Sequence, residues 1–236
     1  MRKNYLLPLL APILLMLASC AHVYTNPQFT QKTQDHQSVA IIPYQMVYTG
    51  KLIKELSPAD LQKINETESQ AFQLSLYNQL LRRSGTGRHK IKIEIQNPST
   101  TNRLLLDSGV VLTDAWKESP ERLAGILGVQ SVICTRVEKE KFLSDLESFG
   151  IIAAGQVLRN MQVPGATALP YVSSNASKTY EIKLNCQLMN GADGSMLWNV
   201  PLRLNINYNT KANDAINIAN RRCSKKFPYR DRSYYR

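Results

Sequence analysis

The clearest pattern in the chain is a strict alternation of apolar and polar residues in two segments near residues 180–208. One side of the first segment carries Tyr180, Ile182, Leu184, Cys186 and Leu188, and one side of the second carries Trp198, Val200, Leu202, Leu204, Ile206 and Tyr208. Between them lies NGADG, residues 190–194, which contains both Asn-Gly and Asp-Gly. These dipeptides favour tight hairpin turns, so the pattern predicts a two-stranded β-hairpin. Pro201 cannot donate a ladder hydrogen bond, which places the second strand at a sheet edge.

A second pattern, of apolar residues at helical spacing, predicts two to four helices. Ser57 and Pro58 supply an N-cap and a first helical residue for a long helix. Its apolar face carries Leu61, Ile64, Ala71, Phe72, Ser75, Leu76 and Leu80. Residues 101–109 and 120–128 predict two shorter helices that end at glycines, and Ala215, Ile216, Ala219 and Cys223 mark a last helix from about Lys211.

Three more segments have the pattern of strands. Residues 38–48 contain a continuous β-branched run interrupted by Pro43, residues 90–96 alternate, and residues 131–138 follow a helix directly. The predicted order is β-α-β-α-α-β-β-β-α, which indicates an α/β fold with a mixed sheet of about five strands. We assign this single domain to residues 38–228 and leave 139–176 as an insertion without a defined structure.

The amino-terminal residues have the pattern of an export signal. Arg2 and Lys3 precede an almost wholly apolar run over residues 5–18. The run is shorter than the roughly 20 residues that a spanning helix needs, so residues 1–19 are predicted to be a signal peptide. Residues 20–37 are polar and lack periodicity, which predicts a tether between membrane and domain.

The end of this signal, LASC at residues 17–20, resembles the lipobox of bacterial lipoproteins. The resemblance implies that the thiol of Cys20 carries diacylglycerol, that residues 1–19 are removed, and that the new amino terminus receives a further acyl chain such as palmitate. Two or more acyl chains make a stable anchor. Ala21 follows Cys20, and in this family that favours the outer membrane, with the domain facing the periplasm.

Two other segments resemble periplasmic domains of the TolB amino-terminal type and of the curli secretion lipoprotein type. They are ERLAGILGVQSVICTRVE, residues 121–138, and QLMNGADGSMLWNV, residues 187–200, and the strand VAIIPY before a long helix fits the same pattern. The resemblance implies the fold and two functions. One is a non-enzymatic binding or assembly domain of the envelope, and the alternative is an oligomeric, curli-secretion-like subunit in which residues 139–176 form an interface.

The charge of the chain points to an anionic environment. The formal net charge is +11, and without residues 1–19 the remaining 217 residues carry +9. Residues 221–236 contribute +6 of this, and 229–236 form a basic aromatic tail. The residues predicted to contact an anionic surface are Arg221, Arg222, Lys225, Lys226, Arg230 and Arg232. Because the chain has an export signal, we expect membrane and envelope protein partners, or self-association, and no nucleic acid.

No recognised catalytic pattern is present in the sequence. It has three histidines, His22, His36 and His89, and no G-x-S-x-G nucleophile motif. A calcium loop needs several oxygen ligands, and the hairpin turn supplies a single carboxylate, that of Asp193. We therefore predict no enzyme activity, no cofactor and no metal. Cys134, Cys186 and Cys223 remain after lipidation of Cys20, either as buried thiols or with one disulfide among them.

Overall fold

The computed structural model describes residues 23–50, 58–84, 90–140, 179–207 and 210–229. The helices in these residues are α1 (Phe29–Lys32), α2 (Pro58–Ser84), α3 (Pro98–Asp107), a 3₁₀ helix (Leu112–Lys117), α4 (Pro120–Leu127) and α5 (Ala212–Ser224). The strands are β1 (Tyr24–Thr25), β2 (Ser38–Ile41), β3 (Gln45–Tyr48), β4 (Glu94–Ile95), β5 (Ser131–Lys139), β6 (Thr179–Asn190) and β7 (Met196–Asn207).

The strands form one open mixed sheet, as the sequence predicts. Within the described residues it has seven strands in the order β1-β7-β6-β5-β2-β4, and β3 also pairs with β5. The strands β5, β6, β7 and β1 pair antiparallel, while β2 and β3 both run parallel to β5. The fold is therefore a mixed α/β fold whose centre is β5.

The strand count differs from the five predicted because short strands depend on partners far away in the sequence. The predicted strand 38–48 is divided at Ile42–Tyr44, around Pro43, into β2 and β3. Both parts pair with β5, β2 at Ser131–Ile133 and β3 at Arg136–Lys139. Pro43 lacks the N–H that a continuous ladder would need, which explains the division.

The predicted tether over 20–37 needs correction, because from Val23 onward it belongs to the domain. Tyr24 and Thr25 pair with Asn199 and Trp198 as β1, and α1 follows. The backbone N–H of Asn26 donates to the Leu197 carbonyl at 2.9 Å. These polar residues form regular structure because the exposed edge of β7 offers backbone hydrogen-bond partners. The hydrophobic pattern of the sequence does not indicate such partners.

Helices cover both faces of the sheet. On one face α2 and α5 bury a cluster that includes Phe72, Leu76, Trp198, Ile216 and Phe227. On the other face α3 and α4 bury a smaller cluster that includes Ala40, Ile42, Leu105, Leu123 and Val132. The apolar faces predicted for α2 and α5 are thus mostly buried.

The predicted ends of α4 are confirmed, whereas the predicted start of α3 is wrong. The Oγ of Ser119 accepts from the N–H of Arg122 at the start of α4, and Gly128 ends that helix at φ +64°. Asn97 caps α3, its Oδ1 accepting from the N–H of Ser99 at 2.8 Å, so α3 begins three residues before the predicted start. For α4, the capping residues at its two ends are sufficient to predict where the helix begins and ends.

Several predictions fall outside the described residues. They concern the signal peptide and Cys20, the insertion from residue 141 to 176, and the tail from Arg230 onward. Among the helices that the structure describes, none combines the length and the apolar character needed to cross a membrane.

Candidate interaction groove

An open groove lies where the first turns of α2 meet β3 and the 3₁₀ helix. Its volume is about 540 Å³. It is lined by Tyr44, Gln45, Met46, Pro58, Leu61, Gln62, Asn65, Thr113, Asp114 and Trp116. The lining combines aromatic and aliphatic side chains with amides, and Asp114 is its one ionisable carboxylate.

One wall of the groove is fixed by hydrogen bonds around Tyr44. Its hydroxyl donates to Asn220 Oδ1 on α5 at 2.8 Å, and its carbonyl accepts from Ser69 Oγ on α2 at 2.8 Å. The ring stacks on Phe72 with centroids 5.4 Å apart. Because these partners are buried, this wall is held rigidly between α2 and α5.

The opposite wall is Trp116, which the 3₁₀ helix presents to solvent. Its indole N–H donates to the Thr113 carbonyl at 3.0 Å, and 42% of the residue is exposed. The ammonium of Lys117 lies 5.6 Å from the ring centroid and pairs with Asp114 at 2.8 Å. Local contacts therefore orient the indole while leaving much of its surface uncovered.

A second hollow of about 260 Å³ shares Gln62 and Thr113 with the groove. Its rim holds Leu106 and Val111, which are 57% and 55% exposed. Together with Trp116 they make an apolar patch around a nearly uncharged groove. Aromatic residues, methionine and few charges at the centre of a surface patch are typical of protein–protein interfaces.

The predicted anionic-surface residues lie elsewhere, on α5. Arg221, Arg222, Lys225 and Lys226 are exposed, while the opposite side of the helix is buried. No ion pair within the described ranges involves any of these four. Arg230 and Arg232 lie outside the described residues, so their predicted role stays a prediction.

Tyr229, predicted to begin the tail, packs on the domain instead. Its ring contacts those of Phe29 and Phe227 at 5.4 and 5.6 Å, and its hydroxyl donates to Ser131 Oγ at 3.2 Å. His36 Nδ1 lies 2.5 Å from the same hydroxyl. Burial lowers the pKa of His36, and burial raises that of Tyr229. These contacts join the two ends of the domain.

The three thiols and the Asp193 carboxylate lie in strands, a helix and the hairpin turn. Cys134, Cys186 and Cys223 are free thiols, on β5, β6 and α5. Asp193 accepts from Ser195 and Asn190 within the hairpin turn and pairs with Lys32. Over the described ranges, no group of three or more His, Cys, Asp or Glu side chains is arranged to hold a metal ion.

The groove was not predicted from the sequence. Its walls come from β3, α2 and the 3₁₀ helix, which are brought together only by the fold. One signal was present: Trp116 stands in LTDAWK, a polar segment without apolar periodicity, where a tryptophan has no evident place in a core.

The fold and the groove define a mixed α/β domain with an exposed apolar patch. No family model and no curated protein matches the chain. Among solved structures it is similar to the C-terminal domain of LpoB from Salmonella enterica, with 11% identity, 75% of this chain and 93% of that chain covered, and a TM-score of 0.37. It is also similar to lipoprotein GNA1162 from Neisseria meningitidis (10% identity, 80% and 96% covered, TM-score 0.43).

A third similar structure is the PelC dodecamer from Paraburkholderia phytofirmans, with 7% identity, 85% and 91% of the two chains covered, and a TM-score of 0.39. Identities and TM-scores this low do not define a function for the present chain.

Proposed function

We propose that the chain is a lipid-anchored envelope protein whose α/β domain binds another envelope protein and catalyses no reaction. Cys20 is the attachment site, and the domain faces the periplasm from the outer membrane. The groove between α2, β3 and the 3₁₀ helix receives an apolar segment of the partner.

The sequence LASC supports the anchor, because a cysteine directly after a short apolar run and two small residues matches the lipobox. Acyl chains on this cysteine would each contribute about 0.8 kcal/mol per buried CH₂ group, and two or more chains hold a protein stably on a bilayer. The anchor would confine the domain and its partner to the same surface, which raises their effective concentration.

One observation carries the binding function: an oriented, 42% exposed tryptophan lines a nearly uncharged groove. Tryptophan is enriched among the few residues that dominate binding energy at interfaces. Trp116 is held by its own helix, so little side-chain entropy would be lost when a partner covers it.

Site-specific photocrosslinking tests this function in living cells. A photoreactive phenylalanine analogue replaces Trp116 in the full chain or, as a matched control, Leu74, an exposed apolar residue on the outer side of α2 that does not line the groove. We expect a discrete adduct heavier than the 26.7 kDa chain from position 116 and none from position 74.

Val111→Glu, on the rim of the neighbouring hollow, should reduce that adduct several-fold. Equal crosslinking from both positions, or none from position 116, would contradict the proposal. An adduct with the mass of two chains would contradict a separate partner and assign the groove to self-association.

A further inference from the structure

The carboxyl ends of α2 and α5 together form a basic surface that the sequence showed only in part. Arg82 and Arg83 end α2, and Arg221, Arg222, Lys225 and Lys226 lie at the end of α5. The two ends touch, since Arg83 Nε donates to Ser224 Oγ at 3.1 Å. We call these six cationic residues the basic end.

The residues of the basic end are mostly exposed, and none of them forms an ion pair with another residue of the described ranges. Five of its residues are exposed and Arg83 is half-buried. The ion pairs that the described residues form lie elsewhere, such as Arg103 with Asp107 and Arg122 with Glu118. The surface therefore offers six positive charges to an external partner.

The basic end lies at the same end of the molecule as the start of the described chain. Thr25 of β1 pairs with Trp198, and the ring of Trp198 contacts that of Phe227 with centroids 6.0 Å apart. Phe227 directly follows Lys226. The side chains of Trp198 and Phe227 thus connect the amino-terminal strand with the chain segment that directly follows Lys226.

The distance to the anchor is limited by covalent geometry. Only three residue steps separate Cys20 from Val23, and a fully extended chain spans about 11 Å over three steps. Since Val23 and Tyr24 are themselves exposed beside β7, a lipid on Cys20 would hold this end of the domain close to the bilayer surface.

We propose that the basic end binds the phosphate groups of anionic lipids in the membrane that carries the anchor. The inference rests on the proposed lipidation of Cys20 and adds the orientation of the domain. Clusters of Lys and Arg next to a membrane attachment bind anionic head groups. Nearness to the anchor favours a lipid surface over an acidic protein or polymer as the partner.

The orientation has a consequence for the groove. Gln62 lines the groove and Arg83 belongs to the basic end, both on α2. Twenty-one residues at 1.5 Å per residue separate them by about 30 Å along the helix. With the basic end on the lipid, the groove lies toward the other end of α2, up to about 30 Å from the contact with the membrane.

Amine labelling of the lipidated full chain in vesicles tests this contact. The protein is reconstituted in phosphatidylcholine vesicles with or without 30% phosphatidylglycerol and treated with a membrane-impermeant amine reagent. We expect Lys225 and Lys226 to react at least threefold more slowly in the anionic vesicles. Lys63 and Lys117, both exposed and near the groove, are internal controls whose rates should not change.

Two further arms separate the outcomes. Arg221→Gln with Arg222→Gln should abolish the protection, and 0.5 M salt should weaken it, because salt screens exposed charges. Equal reactivity of Lys225 and Lys226 in both vesicle types would overturn the inference. The mass of the amino-terminal peptide reports lipidation separately: an acylated Cys20 without protection refutes only the lipid contact, whereas an unmodified Cys20 refutes the anchor on which it depends.

Discussion

Glu68 and Lys139 are charged residues with no exposed side-chain surface at all. Glu68 belongs to α2 and Lys139 ends β5, and the two form an ion pair between helix and sheet. Burial lowers the pKa of Lys139, because water cannot solvate the ammonium there. A buried pair costs much desolvation energy, so each charge depends on the other.

This pair gives a prediction for stability. Glu68→Leu or Lys139→Met alone should lower the free energy of unfolding by about 3–5 kcal/mol, because one buried charge loses its partner. The double variant Glu68→Leu with Lys139→Met should recover most of that loss. Urea unfolding of all four proteins measures it, and purely additive effects would contradict the dependence of each charge on the other.

The half-buried His36 predicts a pH effect. Burial lowers its pKa below the ordinary value of 6.5, so the unfolded chain binds a proton at a higher pH than the folded domain does. Stability should therefore fall as the pH drops below about 6.5. The slope of unfolding free energy between pH 7 and 5 should be smaller in His36→Gln; an unchanged slope would rule out this histidine as the source.

At the scale of elements, the N-cap of the short helix α3 is predicted to contribute to stability. Asn97→Ala should cost about 1 kcal/mol, because it leaves the N–H of Ser99 without its acceptor. The neighbouring Ser99→Ala is the matched control, since the structure shows no capping bond made by the Ser99 hydroxyl, and it should change stability by only a few tenths. Equal effects in thermal unfolding would contradict the capping role.

The amino-terminal segment 23–37 gives a prediction by hydrogen exchange. The amides of Asn26 and Thr33 donate to Leu197 and Phe29 carbonyls, so they should exchange much more slowly than in an unstructured peptide. Asn26→Ala removes the side-chain bond to the Met196 carbonyl and should speed exchange in β1 and α1. If these amides exchanged at random-coil rates in the unsubstituted protein, the result would contradict the packing of residues 23–37 on the domain and support the tether predicted from the sequence.

Elements with local signals could be predicted from the sequence, and those that depend on distant partners could not. The NGADG hairpin and the Ser119–Gly128 helix have their turn and cap residues within a few positions. By contrast, β1 exists because two polar residues meet Trp198 and Asn199, about 170 positions later. The basic residues of α5 were identified, but Arg82 and Arg83 join them only through the packing of α2 on α5.

At the scale of the whole molecule, α2 determines how the two functional surfaces are arranged. Its 27 residues span about 40 Å, with the groove near the first turns and the basic end at the last. A lipid on Cys20 would hold the basic end against the bilayer and leave the groove near the opposite end of α2. The two proposals are thus connected by one helix, and both require the anchor.

Metabolic labelling with palmitate tests that anchor most directly. The full chain is expressed in a bacterial host with labelled palmitate, alongside Cys20→Ala and Cys134→Ala, a matched control that replaces a thiol on β5. The account predicts label in the unsubstituted chain and in Cys134→Ala, and none in Cys20→Ala. Label that persists in Cys20→Ala, or its absence from the unsubstituted chain, would contradict the account.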